Sequence, residues 1–226
     1  MKNVVVLSGA GISAESGLKT FRDSDGLWEG HNVMEVASPE GWSKNKKRVL
    51  DFYNDRRRQL MTAEPNTAHK SLVVLEDRFN VHIITQNVDD LHERAGSKKV
   101  LHLHGELLKA RSTVDENLVS DWRKDICEGD LCAKGSQLRP HIVWFGELVP
   151  LLEPAIELTA KADFIIIVGT SMQVYPAASL INYAKPEALI YFIDPKPNIA
   201  SQNNLKVISE KASAGVPIVV EELLNN

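Results

Sequence analysis

Three short stretches of the chain carry residue types and spacings suited to chemistry. The first, Gly9-Ala10-Gly11-Ile12-Ser13-Ala14, follows an apolar run. It satisfies the loose G-x-G-x-x-G/A pattern, in which glycines let backbone N–H groups approach a pyrophosphate at a helix start. By itself the pattern also fits a tight turn without a ligand. Glu15 to Arg22 then interrupts any helix within two turns, unlike the long first helix of an ordinary dinucleotide-dependent dehydrogenase. The second stretch, Gln86-Asn87-Val88-Asp89-Asp90, follows another apolar run and offers two amides and a carboxylate suited to ribose hydroxyls and a carboxamide. Helix capping by Asn87 or Asp89 competes with that reading. The third is Val100-Leu101-His102-Leu103-His104-Gly105, where period-2 spacing places both histidines on one face of a strand. His104, at the strand's end before a glycine, is placed for general-base work near its ordinary pKa of about 6.5. A metal site from this pair would need further ligands, and none cluster beside it in sequence.

Holding these groups together requires a scaffold, and the hydrophobic pattern supplies one. Residues 3–7, 81–85, 164–168 and 189–193 are continuous apolar runs of strand length, as expected for strands buried on both faces. Residues 44–61, 67–78, 153–162, 177–184 and 211–224 have helical patterns between them. The alternation predicts an α/β fold, a doubly wound parallel sheet with helices on both faces. Residues 15–36 and 111–137 break it as long polar excursions, predicted to form a smaller module.

Composition narrows the function classes. The 226 residues fit one domain, or one large and one small. A net charge of −4 lacks the dominant basic face of a general nucleic-acid binder. The start of the chain imitates a signal peptide, but its apolar run of four residues, Val4 to Leu7, is short against the roughly 7–15 of a true h-region. No apolar stretch approaches the roughly 18–20 residues that span a bilayer, so no membrane association is expected. Two cysteines cannot build a disulfide scaffold, which points to a reducing, cytoplasmic location. Charge is unevenly spread: the stretch from Lys44 to Arg58 carries a net +5.

The motifs together resemble one family. Gly9-Ala10-Gly11-Ile12-Ser13 with Gly17 and Phe21-Arg22-Asp23, then Gln86-Asn87-Val88-Asp89, His104-Gly105, the segment from Pro140 through Val143 with Phe145-Gly146-Glu147, and Gly169-Thr170-Ser171 follow one another as in the sirtuins, NAD-dependent protein lysine deacylases. The match runs from about residue 4 to about residue 215. It implies a Rossmann-like NAD-binding domain from residues 1–30, 79–110 and 138–226. Residues 31–78 and 111–137 would form the small helical module, of a degenerate zinc type. The resemblance implies that Gly9, Ala10, Gly11, Ser13, Phe21 and Arg22 close over the pyrophosphate and nicotinamide ribose. Gln86, Asn87 and Asp89 would serve the nicotinamide pocket, and Gly169, Thr170, Ser171, Asp194 and Ala212 the adenosine side. His104 would be the catalytic base that activates a ribose hydroxyl, the products being free lysine, nicotinamide and O-acyl-ADP-ribose. Val143, Phe145, Gly146 and Glu147 on one side, and Val174 and Tyr175 on the other, would take the substrate peptide as an inserted strand. Asp194 stands where many relatives have Asn; its charge accepts ribose hydroxyls and disfavours a 2′-phosphate. The partners implied are acyl-lysine proteins or peptides, acting on a monomer.

Two features refine this reading. Tyr53 and Arg56 lie three apart on the basic helix, and Val49, Tyr53, Arg56 and Leu60 follow the spacing of an inward stripe. An arginine there is costly to bury unpaired, yet it could grip a carboxylate bidentately while Tyr53 donates a further bond. The pair resembles that of the sirtuin subgroup removing malonyl, succinyl and glutaryl groups; an ion pair of Arg56 with Asp55 or Glu76 is the plainer alternative. Arg57 and Arg58 read as surface charges. Where relatives carry four zinc-binding cysteines, this chain has only Cys127 and Cys132, with Ser112-Thr113-Val114-Asp115 at the expected first pair. Zinc is therefore expected to be absent, the module being held by Trp122, Ile126 and Leu131. An ADP-ribosyltransferase or NAD hydrolase, and a non-catalytic NAD-sensing module, stay open as alternatives.

Overall fold

The computed structural model describes residues 1–19, 27, 28, 30–197 and 199–225. The chain runs through β1 (Asn3–Ser8), β2 (Leu27–Trp28), β3 (His31–Asn32), α1 (Val33–Val36), α2 (Pro39–Lys44), α3 (Lys46–Thr62) and α4 (Thr67–Val74). There follow β4 (Asn80–Thr85), α5 (Leu91–Ala95), β5 (Val100–His102), β6 (Gly105–Ser112), β7 (Val119–Asp121) and β8 (Leu138–Ile142). The last elements are α6 (Leu152–Ala160), β9 (Phe164–Val168), β10 (Leu189–Ile193), β11 (Leu205–Ile208) and α7 (Ala212–Asn225).

Six strands form a sheet in the order β11-β10-β9-β1-β4-β5, and every pairing in it is parallel. The apolar runs explain it: alternate side chains of β1 serve opposite cores. Val4 and Val6 pack with Leu72 of α4 and Val216, Val219 and Leu223 of α7. Val5 and Leu7 pack with Ala155 of α6 and with Ala177 and Leu180. Each such side chain contributes roughly 1.5–3 kcal/mol by leaving water, so a one-residue slip of β1 would be opposed on both faces. The pattern over 177–184 becomes a 3-10 helix, Ala177–Tyr183, rather than an α-helix. Helix α4, assigned from sequence to the small module, instead packs on the main sheet through Ala68 and Leu72. Within the excursion over residues 15–36, β2 and β3 pair as a short antiparallel ladder.

The excursion 111–137 is less irregular than its polarity implies. Its start completes β6, which pairs antiparallel with both β7 and β8 in a three-stranded sheet. Ile126 is fully buried with Leu50, Ala110 and Leu138, and Trp122 packs against them. Leu131, expected in that core, is 56% exposed. The unforeseen fastener is Asn54 on α3, whose amide donates to the Ile126 carbonyl at 2.9 Å and accepts from the Ile126 N–H at 2.9 Å. Asn54 also accepts from Arg57 Nη1 at 2.8 Å, while Arg57 Nε donates to the Leu107 carbonyl at 3.0 Å. Arg57 is thus buried, not the surface charge its sequence setting implied, and burial lowers its pKa to about 10. Arg58 does lie at the surface, paired with Asp55 and Asp125.

Cys132 Sγ lies 3.2 Å from Ser112 Oγ, Cys127 is exposed, and Asp115 pairs with Lys134 at 2.8 Å. Among the described residues no group of three or more His, Cys, Asp or Glu side chains is placed to hold a metal. No helix among them is long and apolar enough to cross a membrane.

Candidate active-site cleft

Ser8 pairs with Thr85 on one side and Val168 on the other, so β1, β4 and β9 end at one level and their following loops meet. The loop after β1 turns through two short 3-10 segments, Ala10–Ile12 and Ala14–Ser16, not an α-helix. The Gly11 N–H is spent on the Gly169 carbonyl at 2.8 Å, and the Gly9 N–H on that of Val168 at 3.1 Å. A Cβ on Gly11 would lie 2.7 Å from Gly169 Cα, and one on Gly169 (φ +67°) 2.2 Å from the Ile12 nitrogen. The glycines are therefore required first by the contact of two loops. The bare backbone that results makes a cradle that any side chain would fill, which suits a dinucleotide.

The second loop is tied into the first by a buried polar chain. Ser13 Oγ donates to Asp89 Oδ2 at 2.9 Å and accepts from Asn87 Nδ2 at 3.1 Å, while the Leu91 N–H reaches Asp89 Oδ1 at 3.2 Å. Asp89 thus takes the first N–H of α5 as well as the Ser13 hydroxyl, while the Asn87 amide is spent on Ser13. Burial raises the Asp89 pKa to about 6, against the opposing pull of its Leu91 and Ser13 bonds. Gln86 Nε2 donates to Thr170 Oγ1 at 3.0 Å, bridging to the third loop.

The two histidines diverge. Strand β5 ends at His102, and His104 sits in the turn before β6, so the two do not share one continuous strand face. His104 Nδ1 lies 3.0 Å from the Gln86 carbonyl. A carbonyl only accepts, so Nδ1 carries the hydrogen and Nε2 holds a free lone pair in the neutral ring. Burial lowers the His104 pKa, the Gln86 bond opposing it in part. His102 faces the Asn87 carbonyl at 3.0 Å and Glu93 Oε1 at 2.8 Å. Burial works against its charged form, but Glu93 outweighs it and the pKa rises. Of the pair, His104 offers an unprotonated ring nitrogen, while His102 is the ion-pair partner of Glu93.

A cleft of about 640 Å³ runs along these loops. It is bordered by Gly9, Ala10, Gly11, Ser13, Gln86, Asn87, Asp89, Gly169, Thr170, Ser171, Asp194 and Ala212, and by His104. It is also bordered by Tyr53, Arg56, Val143, Phe145, Gly146, Glu147, Val174 and Tyr175. Every sequence-derived site residue within the described set is thus brought to one cavity; Phe21 and Arg22 lie outside that set. Glu147 borders the cleft, but its carboxylate accepts from Arg139 at 2.6 Å, from Arg111 at 3.1 Å and from the Trp144 N–H at 2.8 Å. Trp144, Gln59 and Lys211 also border it, although no sequence motif singles them out. Gln59 was findable, three residues beyond Arg56 on the same helix face.

At the small-module end, Tyr53 is fully buried and accepts a hydrogen bond from Trp144 Nε1 at 3.0 Å. The Arg56 guanidinium lies 5.2 Å from the centre of the Phe52 ring. Asp55 pairs with Arg58, and Glu76 accepts from the Lys98 N–H at 3.0 Å.

Comparison with known proteins agrees with this architecture. The Sir2 family model matches residues 9–176. A Helicobacter pylori protein named NAD-dependent protein deacylase is 62% identical over 225 residues, covering 99% of this chain and 98% of the relative. A solved Sir2 homolog–NAD complex superposes with a TM-score of 0.88 at 40% identity, covering 99% of this chain and 90% of the other. A solved Sir2 bound to acetylated peptide superposes with a TM-score of 0.79 at 29% identity, covering 100% of this chain and 94% of the other. With the family model matched over residues 9–176 and a relative 62% identical along nearly the whole length, the chain belongs to the Sir2 family.

Proposed function

We propose that this chain is an NAD-dependent protein lysine deacylase that accepts acidic acyl groups, succinyl and malonyl, as well as acetyl. The observation that carries the reading is a single cleft bordered both by the glycine loops and His104 and by Tyr53 and Arg56. The 62% identity to a protein named as such a deacylase supports the activity. Bound NAD supplies an electrophilic ribose carbon and a nicotinamide leaving group. The chain's part is binding, orientation and proton transfer. The backbone of Gly9 to Gly11 and of Gly169 to Ser171 would hold the dinucleotide, with Asn87 and Asp89 orienting its nicotinamide end. His104, neutral with Nδ1–H held by Gln86, keeps Nε2 ready to take a proton from a ribose hydroxyl. Val143 to Glu147 and Val174 with Tyr175 would receive the peptide as a strand, in keeping with the relative solved with an acetylated peptide. Arg56 would meet an acyl carboxylate bidentately and Tyr53 would add a hydrogen bond. Two free cysteines suit a reducing compartment such as the cytoplasm.

Mass spectrometry of acetyl-, succinyl- and malonyl-lysine peptides with and without NAD tests the activity. O-acyl-ADP-ribose is the expected product, whereas free or protein-linked ADP-ribose would mark a hydrolase or ADP-ribosyltransferase. Arg56→Met tests the acyl preference. Succinyl turnover should fall at least about 10-fold further than acetyl turnover, as for loss of a charged hydrogen-bonded pair. Equal losses would remove the preference from the reading.

A further inference from the structure

We propose that Trp144 is a specificity-determining positioning residue, its indole N–H fixing the Tyr53 hydroxyl as a donor toward a negatively charged acyl end. The inference rests on the acidic-acyl reading above and deepens it. Trp144 Nε1 donates to Tyr53 Oη at 3.0 Å, and both side chains are buried. A phenolic hydrogen prefers the plane of its ring, which leaves it two orientations. An indole hydrogen donated to the oxygen repels the phenol hydrogen from its own side, so the phenol hydrogen turns to the other. That hydrogen has no acceptor among the described residues, and the only bond of Tyr53 there is the one it accepts. Burial also pushes the Tyr53 phenol well above its usual pKa, so it stays protonated as a donor.

The indole is itself clamped. The Arg139 guanidinium lies 3.2 Å from the centre of its ring, and Arg139 is held by Glu147 at 2.6 Å. Glu147 in turn accepts the Trp144 backbone N–H at 2.8 Å. The Trp144 and Tyr53 rings stack at 6.5 Å and 30°. Glu147, Arg139 and Trp144 thus form one support behind Tyr53. An acyl carboxylate would accept the directed hydrogen, whereas an acetyl group ends in a methyl and makes no use of it. Trp144 therefore acts on discrimination between acyl groups, through Tyr53.

The test measures kcat/KM for succinyl- and acetyl-lysine peptides at saturating NAD in the wild type, Tyr53→Phe, Trp144→Phe and the double variant. The readout is the succinyl-to-acetyl ratio. Tyr53→Phe should lower it about 10-fold and Trp144→Phe about 3- to 5-fold, both mainly through KM. In the Tyr53→Phe background the second substitution should move the ratio less than about 2-fold, since the group it positions is gone. As a second variant, β-(3-benzothienyl)alanine at position 144 keeps the ring shape and removes only the N–H, and should reproduce the drop. A ratio unchanged in both position-144 variants, or an equal further drop in the Tyr53→Phe background, overturns the positioning role while leaving the acidic-acyl reading intact. If Tyr53→Phe itself leaves the ratio unchanged, the acidic-acyl use of Tyr53 fails and the inference falls with it.

Discussion

Asp89 offers a test in which stability and activity should move in opposite directions. The residue is 7% exposed, and burial raises its pKa from the ordinary 3.8 to about 6. A carboxyl whose folded pKa lies above its unfolded value stabilises the fold while protonated. That contribution is complete below about pH 3.8 and lost as pH rises through about 6. The shift of about 2 units corresponds to about 3 kcal/mol between the acid and neutral limits, at 1.36 kcal/mol per unit. Asp89→Asn removes the titration. Its Oδ1 can still accept from the Leu91 N–H, and Ser13 Oγ has a lone pair for the new amide. The stability of the variant relative to wild type should therefore rise by about 2 kcal/mol between pH 4.5 and pH 8, with most of the change below about pH 6.5. Urea unfolding at four pH values across that range gives the difference directly, and titrations elsewhere in the fold cancel in it. Deacylation by the same variant should fall, because the buried chain from Asn87 through Ser13 to Asp89 borders the cleft. A stability difference constant within about 0.5 kcal/mol would refute the buried-charge argument.

His104→Tyr should abolish deacylation with an unchanged circular-dichroism spectrum; an active variant removes His104 from the mechanism. In the wild type, the lowered His104 pKa keeps the ring neutral below its ordinary value, so the acid limb of kcat/KM should have its midpoint below pH 6.5. A midpoint above 6.5 contradicts the burial argument. Asn54→Ala strands the Ile126 N–H and carbonyl and frees one Arg57 bond, which should cost about 2–5 kcal/mol by urea unfolding. A loss under about 1 kcal/mol would show that this fastener matters little, and chelators should leave the unfolding midpoint unchanged. Gly11→Ala places a Cβ 2.7 Å from Gly169 Cα, so it should part the two loops and raise KM for NAD at least about 10-fold. An unaltered KM would mean that the loops tolerate separation.

Local pattern carried much of this molecule. Continuous apolar runs determined a parallel sheet, because a strand with Val4 and Val6 facing one core and Val5 and Leu7 the other has no polar face to offer water. The glycine loop, Gln86 to Asp89, and His104 were legible because each follows a strand end, where such a sheet gathers its loops. Elsewhere the pattern misled. Helix α3 buries two adjacent stripes, Val49, Tyr53 and Leu60 on one, and Leu50, Asn54 and Arg57 on the other. Reading a single stripe put Arg57 in water. Leu131 shows the converse, since hydrophobicity alone cannot say whether anything covers a side chain.

What the sequence by itself determined was the direction of each side chain relative to its own backbone, and hence the strands, the loops and the residues that could meet in a site. The tertiary structure decided which neighbours each one met. His102 and His104 stand two residues apart and are both buried, yet their pKa values move in opposite directions because only His102 meets a carboxylate, that of Glu93. Tyr53 faces Trp144 from 91 positions away. Charge state and hydrogen-bond role depend on desolvation and on partners within a few ångströms, and those partners come from distant segments whose approach only the packed fold sets.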